Sequence, residues 1–418
     1  MASRRCRPHT SPALGPLDDD DLLGEILLRL PPKPTSLPRA SFVCKRWQSI
    51  ATDAAFRRRF RTHHRKLPIL GVFEAPSIMS KLKFMPLLDP PDRIPSERFS
   101  LNLAGDEYNW KVLGCRHGRV LLINWGRDML LVFEPVSGDM LRIPIPPEFD
   151  QGRKASTDAA VLCAAGNDQD HVHGDCHSSP FKVVVVGIRP HDKAAIAQVY
   201  SQETGMWMWG DLLSTSKPCT GRRCRAVGRS HPSILIGDAL YLRLNGYEDC
   251  ILKFDLDNRL TLIDGPPIDP VRDQGRMIRA EDGSLGLAIF LYPTLKLWHR
   301  KVNCHGVATW VTHKTFNMDE MLGPQAKYAH IAGYAEDADA IFMLISDPSQ
   351  PVLVIVHLES VKVEKYPGAR SYGRMNYHPF TNFYTAGIAG AWSTPPDIGT
   401  SRQQRIARLI KKYSDSLL

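Results

Sequence analysis

Hydrophobic positions change their period once along this chain, near residue 66. Leu22, Leu23, Ile26, Leu27 and Leu30 fall at i, i+1, i+4, i+5 and i+8, the spacing of one helix face. The acidic run Asp18 to Asp21 precedes them, where carboxylates cap free N–H groups and suit the helix dipole. Pro31 and Pro32 stop that helix. Leu37, Ala40, Val43, Cys44, Trp47 and Ile50 then recur at threes and fours. This predicts a helix from near Ser36 with Pro38 tolerated in its first turn, a break near Cys44 and a restart through Trp47 to Thr52. Phe56 and Phe60 add an apolar pair four apart. Three short helices bury little on themselves, and each large apolar side chain left wet forgoes roughly 1.5–3 kcal/mol. The segment is therefore expected to close on a partner.

From Leu67 the helical period disappears. Short apolar runs alternate with turn signals: Ile69 to Phe73, Val120 to Asn124, Leu130 to Phe133, Lys182 to Ile188, Leu240 to Leu244, Ile251 to Leu256, Leu285 to Leu291, Ile341 to Ile345 and Val352 to Leu358. No long helical pattern separates them, which argues an all-β fold. The runs also come in related units. Gly118-Arg-Val-Leu-Leu-Ile-Asn leads to Leu130-Leu-Val-Phe-Glu-Pro-Val-Ser-Gly; Gly237-Asp-Ala-Leu-Tyr-Leu-Arg-Leu leads to Ile251-Leu-Lys-Phe-Asp-Leu; Asp339-Ala-Ile-Phe-Met-Leu-Ile leads to Val352-Leu-Val-Ile-Val-His-Leu. Units of roughly 45–55 residues built from three or four antiparallel strands suit propeller blades, and about six would fit. Each blade has two apolar faces that only its neighbours can cover. Trp207, Trp209, Trp298 and Trp310 are expected between blades, and Tyr366 to Thr385 is expected to close the ring.

Leu17-Asp-Asp-Asp-Asp-Leu-Leu-Gly-Glu-Ile-Leu-Leu-Arg-Leu-Pro-Pro, then Leu37-Pro-Arg-Ala, then Val43-Cys-Lys-Arg-Trp-Gln-Ser-Ile resemble the F-box family. The chain departs from the family pattern at Asp18, where proline is usual, and at Pro38. The resemblance implies that Leu17, Leu22, Leu23, Ile26, Leu30, Pro31, Val43, Cys44 and Trp47 face or support a Skp-type adaptor, which bridges to a cullin. The later units, with Val199-Tyr-Ser-Gln-Glu-Thr-Gly-Met-Trp and Pro379-Phe-Thr-Asn-Phe-Tyr-Thr, resemble the plant F-box-associated β-propeller family. The expected fold class is an α+β multidomain chain, a small three-helix F-box followed by an all-β propeller of about six blades. The expected boundaries are a disordered 1–16, the F-box at 17–62, a linker at 63–68, the propeller at 69–390, and a tail at 391–418 with a short amphipathic helix on Ile406, Leu409, Ile410 and Tyr413.

Composition refines this picture. The chain has 418 residues, 43% apolar and 23% charged, an ordinary globular mixture. Its formal charge of +9 sits at the ends: residues 1–66 carry a surplus of eight, 401–418 a surplus of four, and 67–400 a net −3. The large domain thus lacks the basic footprint of nucleic-acid binding, and no nucleic-acid partner is expected. Arg57-Arg-Arg, Arg61, His63, His64, Arg65 and Lys66 read as a solvated helix end. Nine cysteines without a regular framework suit free thiols in a reducing compartment. Met1 to Pro16 lacks the apolar core of a signal peptide, and no run is long enough to span a bilayer, so a nuclear or cytoplasmic location is expected.

His171-Val-His-Gly-Asp-Cys-His177 gathers three His, one Cys and one Asp, a composition able to bind zinc. It lies in a polar insertion, and no second ligand pair stands at zinc-finger spacing; a surface loop is expected rather than a metal site. Cys219 and Cys224 form a weaker pair. No nucleophile elbow, His-Glu-x-x-His, phosphate loop or dinucleotide fingerprint occurs. No cofactor and no catalytic residue are expected, and the target is unknown. The expected function is a substrate-recognition subunit of a Skp–cullin–F-box ubiquitin ligase. The alternative is a carbohydrate-binding or enzymatic propeller with a vestigial F-box.

Overall fold

Asp19 caps the first helix by accepting the backbone N–H groups of Asp21 and Leu22 at 2.8 and 3.1 Å. A computed structural model describes residues 19–74, 82–99, 101, 110–150, 156–167, 171, 173–174, 176, 179–188, 194–213, 232–243, 250–267, 275–346, 350–369 and 376–384. Leu17, Asp18, His177, the Cys219–Cys224 pair and the tail helix lie outside the described residues. The chain divides into two compact units, 1–65 with 383–418, and 66–382.

The first unit holds α1 (Asp20–Leu28), α2 (Ser36–Ser41), α3 (Lys45–Thr52) and α4 (Ala54–His63). Cys44 is extended and separates α2 from α3, at the break the apolar spacing predicts. Four helices replace the expected three, because the Asp53 carboxylate accepts the Phe56 N–H at 2.7 Å and starts another helix. That fourth helix brings Phe56 and Phe60 against Leu23, Leu27, Leu28, Leu37, Ala40 and Trp47. A small core of its own results. The basic run on α4 is tied to α1 through Arg59–Glu25 at 2.6 Å, and His64 Nε2 meets the Leu28 carbonyl at 2.9 Å.

The second unit is a six-bladed β-propeller. Five sheets have four strands each. They are β3 (Lys111–Arg116), β4 (Arg119–Asn124), β5 (Met129–Glu134) and β6 (Asp139–Pro144); β7 (Ser156–Cys163), β8 (Phe181–Ile188), β9 (Ala195–Ser201) and β10 (Met206–Leu213); β11 (Ile234–Ile236), β12 (Ala239–Arg243), β13 (Cys250–Asp255) and β14 (Leu260–Asp264); β15 (Gly275–Arg279), β16 (Leu285–Leu291), β17 (Thr294–Val302) and β18 (Ala308–Asn317); and β19 (Ala329–Ala335), β20 (Ala340–Ile345), β21 (Val352–His357) and β22 (Val363–Pro367). The sixth sheet runs β2-β1-β23, from β1 (Ile69–Glu74), β2 (Lys83–Pro86) and β23 (Tyr377–Thr381). Ring closure is therefore a pairing of the last strand with the first, Val72 opposite Pro379 and Glu74 opposite Tyr377. The closing strand is shorter than the expected segment, and Tyr366 belongs to the outer strand of the preceding blade.

Alternation along each second strand explains why the blades stack. On β8, Val183 and Val185 pack toward Leu121, Ile123 and Leu130, while Val184 and Val186 pack toward Leu240, Leu252 and Phe254 of the next blade. On β20, Ile341, Met343 and Ile345 join the blade before, and Phe342 and Leu344 join the closing blade. One strand with period two thus serves two interfaces. Trp207 packs between the first two of these blades and donates from Nε1 to the Pro144 carbonyl at 3.0 Å. Trp298 and Trp310 pack between the next pair, Trp310 donating to the Asp264 carbonyl at 2.9 Å. Trp209 departs from the expectation: it shares a face of the edge strand β10 with Trp207, two residues further along, and is 64% exposed.

Candidate functional site

Three places bear on function, each within one unit. The first is the outer surface of the helical unit. Leu22 and Ile26 are one turn apart on α1, offset from the core stripe of Leu23 and Leu27. Leu22 is 50% exposed, Ile26 and Leu30 are half-buried, and Pro31 is exposed. At the α2–α3 break, Phe42 is 44% exposed, Val43 is half-buried and Cys44 is exposed. Leu23 and Trp47 point the other way and fill the unit's own core, Trp47 at 5% exposure. The expected set thus separates into outward residues and residues that hold them up. Phe42 was missed by the sequence reading. Its signal was available, since it precedes Val43 at the predicted break, where a helix residue would have turned inward.

The second place is the polar centre of the propeller, built from the innermost strands. Arg116 Nε donates to Glu336 Oε2 at 3.1 Å and Nη2 to the Ser233 carbonyl at 2.9 Å. Arg276 donates to the Ala332 carbonyl at 3.1 Å and to Asn376 Oδ1 at 3.0 Å. Thr381 donates to Asp337 at 2.8 Å. Burial pushes the Asp158 carboxyl up to about 7, against the Ala159 N–H and Lys111, and pushes the His378 imidazole down to about 3, helped by Arg276 and Lys111. Burial also lowers Lys111. A cavity of about 50 Å³ is lined by Arg116, Arg276, Glu336, Asp337, His378 and Thr381, room for a few waters at most.

The third place is the β7–β8 connection. Cys163 at the end of β7 meets His171, His173 and Cys176 from the insertion, and one ligand atom from each lies within 4.8 Å of the others. Hydrogen bonding from Cys176 holds the Cys163 thiol down at about 4, while the same contact and burial push Cys176 up. The sequence reading named the insertion's residues but not Cys163, which stands eight residues before His171 and reads as the end of a strand.

The F-box domain model matches residues 19–59. An F-box protein of Arabidopsis thaliana is 27% identical over 126 residues, which is 30% of this chain and 30% of that protein. The match therefore spans under a third of that relative's length. Among solved structures, AztD from Citrobacter koseri aligns over 77% of this chain and 91% of its own, at 13% identity and a TM-score of 0.36. The PQQ-bound aldose sugar dehydrogenase from Streptomyces coelicolor aligns over 74% and 89%, also at 13% identity and a TM-score of 0.36. Among the described residues, no helix is long and apolar enough to cross a membrane.

Proposed function

We propose that this chain, which carries an N-terminal F-box domain ahead of a six-bladed propeller, is the substrate-recognition subunit of a Skp–cullin–F-box ubiquitin ligase. F-box and propeller together fit a non-enzymatic adaptor. The helical unit would dock a Skp-type adaptor and through it a cullin, and the propeller would hold a target protein. The contribution to chemistry is proximity: a target held near the ubiquitin-carrying enzyme reacts as if intramolecularly.

The observation that carries this reading is the division of labour in the helical unit. Leu23, Leu27, Trp47, Phe56 and Phe60 satisfy its core, with Leu30 and Val43 packed against it, yet Leu22, Pro31, Phe42 and Cys44 remain exposed. Leu22 and Phe42 thus keep exposed apolar surface on a unit whose core is already filled, surface that a covering partner would bury. A second observation favours an adaptor over a carbohydrate-binding or enzymatic propeller. The central cavity of about 50 Å³ is several-fold smaller than the about 300–1,000 Å³ of small-molecule sites.

Affinity purification of the tagged full-length chain, with the proteasome inhibited, tests the reading. The intact chain is expected to bring down a Skp-type adaptor and a cullin, and Leu30→Asp is expected to lose both while retaining its propeller-bound proteins. Recovery of adaptor and cullin undiminished in the variant would refute it.

A further inference from the structure

The β7–β8 connection stands apart from its equivalents. In four other blades the first and second strands are joined by residues 117–118, 237–238, 280–284 and 336–339, two to five residues each. Here residues 164–180, seventeen of them, intervene. Insertions of that length in a compact domain either carry function or need something to order them. His117 and Gly118 show the ordinary solution, both left-handed at φ 53° and 75°, as a two-residue hairpin turn requires.

The long insertion is held at its base and its top. The Ala164 N–H donates to the Pro180 carbonyl at 2.9 Å, closing the neck. Arg119, wholly buried, pairs with Glu134 at 2.6 Å and lies 5.0 Å over the Phe181 ring. The same guanidinium donates to the Cys176 carbonyl, and to the Ser179 carbonyl at 2.6 Å. This fixes Cys176 from outside the cluster, as outer partners of metal ligands do. The His117 ring stacks on His173 with centroids 4.1 Å apart.

Within this frame the donors are spaced as a metal would space them. Cys163 Sγ and His171 Nε2 are 3.4 Å apart, His173 Nδ1 and Cys176 Sγ 3.4 Å, and Cys176 Sγ and His171 Nε2 3.4 Å. A tetrahedral zinc with bonds of about 2.3 Å to sulfur and 2.0–2.1 Å to nitrogen separates S and N by ~3.5 Å. We propose that Cys163, His171, His173 and Cys176 form a structural Zn²⁺ site that clips the β7–β8 insertion to the propeller. Two thiolates and two imidazoles in a tetrahedron suit zinc among the common metals. Four protein ligands complete the coordination, so the site orders a loop and leaves no position for a reacting water. The ligand pattern is Cys-x7-His-x-His-x2-Cys, with one sulfur on a strand and three donors on the insertion. The site is independent of the adaptor reading.

The test uses the full-length chain, produced with zinc in the medium and purified under a phosphine reductant. Elemental mass spectrometry is expected to find about one more zinc per wild-type chain than per Cys163→Ser or Cys176→Ser chain. A titration of the chelator-stripped wild type with Co²⁺ adds a readout that needs no variant. It is expected to give the intense visible bands and sulfur-to-cobalt charge transfer of a tetrahedral sulfur–nitrogen site, bleached by Zn²⁺. Equal zinc in wild type and Cys163→Ser, or a Co²⁺ spectrum of the weak octahedral type, would overturn the proposal. A disulfide mapped by peptide mass to Cys163 and Cys176, in chain purified without reductant, would overturn it too.

Discussion

Replacing Leu22 and Phe42 together by alanine should weaken adaptor binding without disturbing the fold. Full burial of a leucine or phenylalanine side chain is worth roughly 1.5–3 kcal/mol. Leu22 is 50% and Phe42 44% exposed, so a covering partner has only about half of each left to bury. The two substitutions then cost about 1.5–3 kcal/mol of binding between them, an increase in Kd of roughly 10- to 150-fold. Their effect on stability should be small, within about 0.5 kcal/mol for each exposed position. Trp47→Ala is the contrasting case. At 5% exposure and packed in the helical core, it should cost about 3–5 kcal/mol of stability and lose binding through unfolding. Calorimetric titration of the full-length chain with purified Skp-type adaptor, alongside urea unfolding of each variant, separates the two effects. A double variant that binds within about twofold of wild type would refute the assignment of this surface.

Two further outcomes follow from the propeller. Between pH ~4 and ~6.5 the unfolded chain protonates His117 and His378, whose folded imidazoles are held well below 6.5 and at about 3. Asp158 opposes them, because its folded carboxyl keeps a proton up to about 7 that the unfolded chain releases near 3.8. These three groups together make unfolding take up protons in that window, so stability should fall on acidification. Asp158→Asn removes the opposing group and should steepen the fall, read as urea midpoints across pH; an unchanged slope would show that Asp158 does not titrate as described. Gly333→Ala places a Cβ 2.4 Å from the Tyr377 carbonyl oxygen of the closing strand. Crowding of that kind costs about 1–3 kcal/mol, and a denaturation midpoint equal to wild type would count against the close approach.

The second and third strands of the blades were legible because burial on both faces writes them as continuous apolar runs, as on β8 and β20. Innermost strands were not. β3 reads Lys111-Val-Leu-Gly-Cys-Arg and β15 reads Gly275-Arg-Met-Ile-Arg, because these strands must supply Arg116 and Arg276 to a polar channel as well as apolar groups to the blade. Mixed service erases the period on which a strand assignment depends. In the helical unit the spacing found most of the apolar residues but missed Phe42 and could not sort Leu22 from Leu23. Only the position of α4, placed by the Asp53 cap, decides which of them is covered. Cys163 escaped for a similar reason, since three donors lie along one insertion and the fourth arrives through strand pairing.

The shared sheet of β1 and β23 also governs how the molecule can be made. Some 300 residues separate these partners, and a ribosome adding about 5–20 residues per second needs roughly 15–60 s to travel between them. Until then the nascent ring stays open, with β1 lacking the neighbour it will hydrogen-bond. Helices α1 to α4, translated earlier and sharing a core of their own, can form long before. A chain cut short upstream of Tyr377 would therefore keep α1 to α4 while its ring stays unclosed.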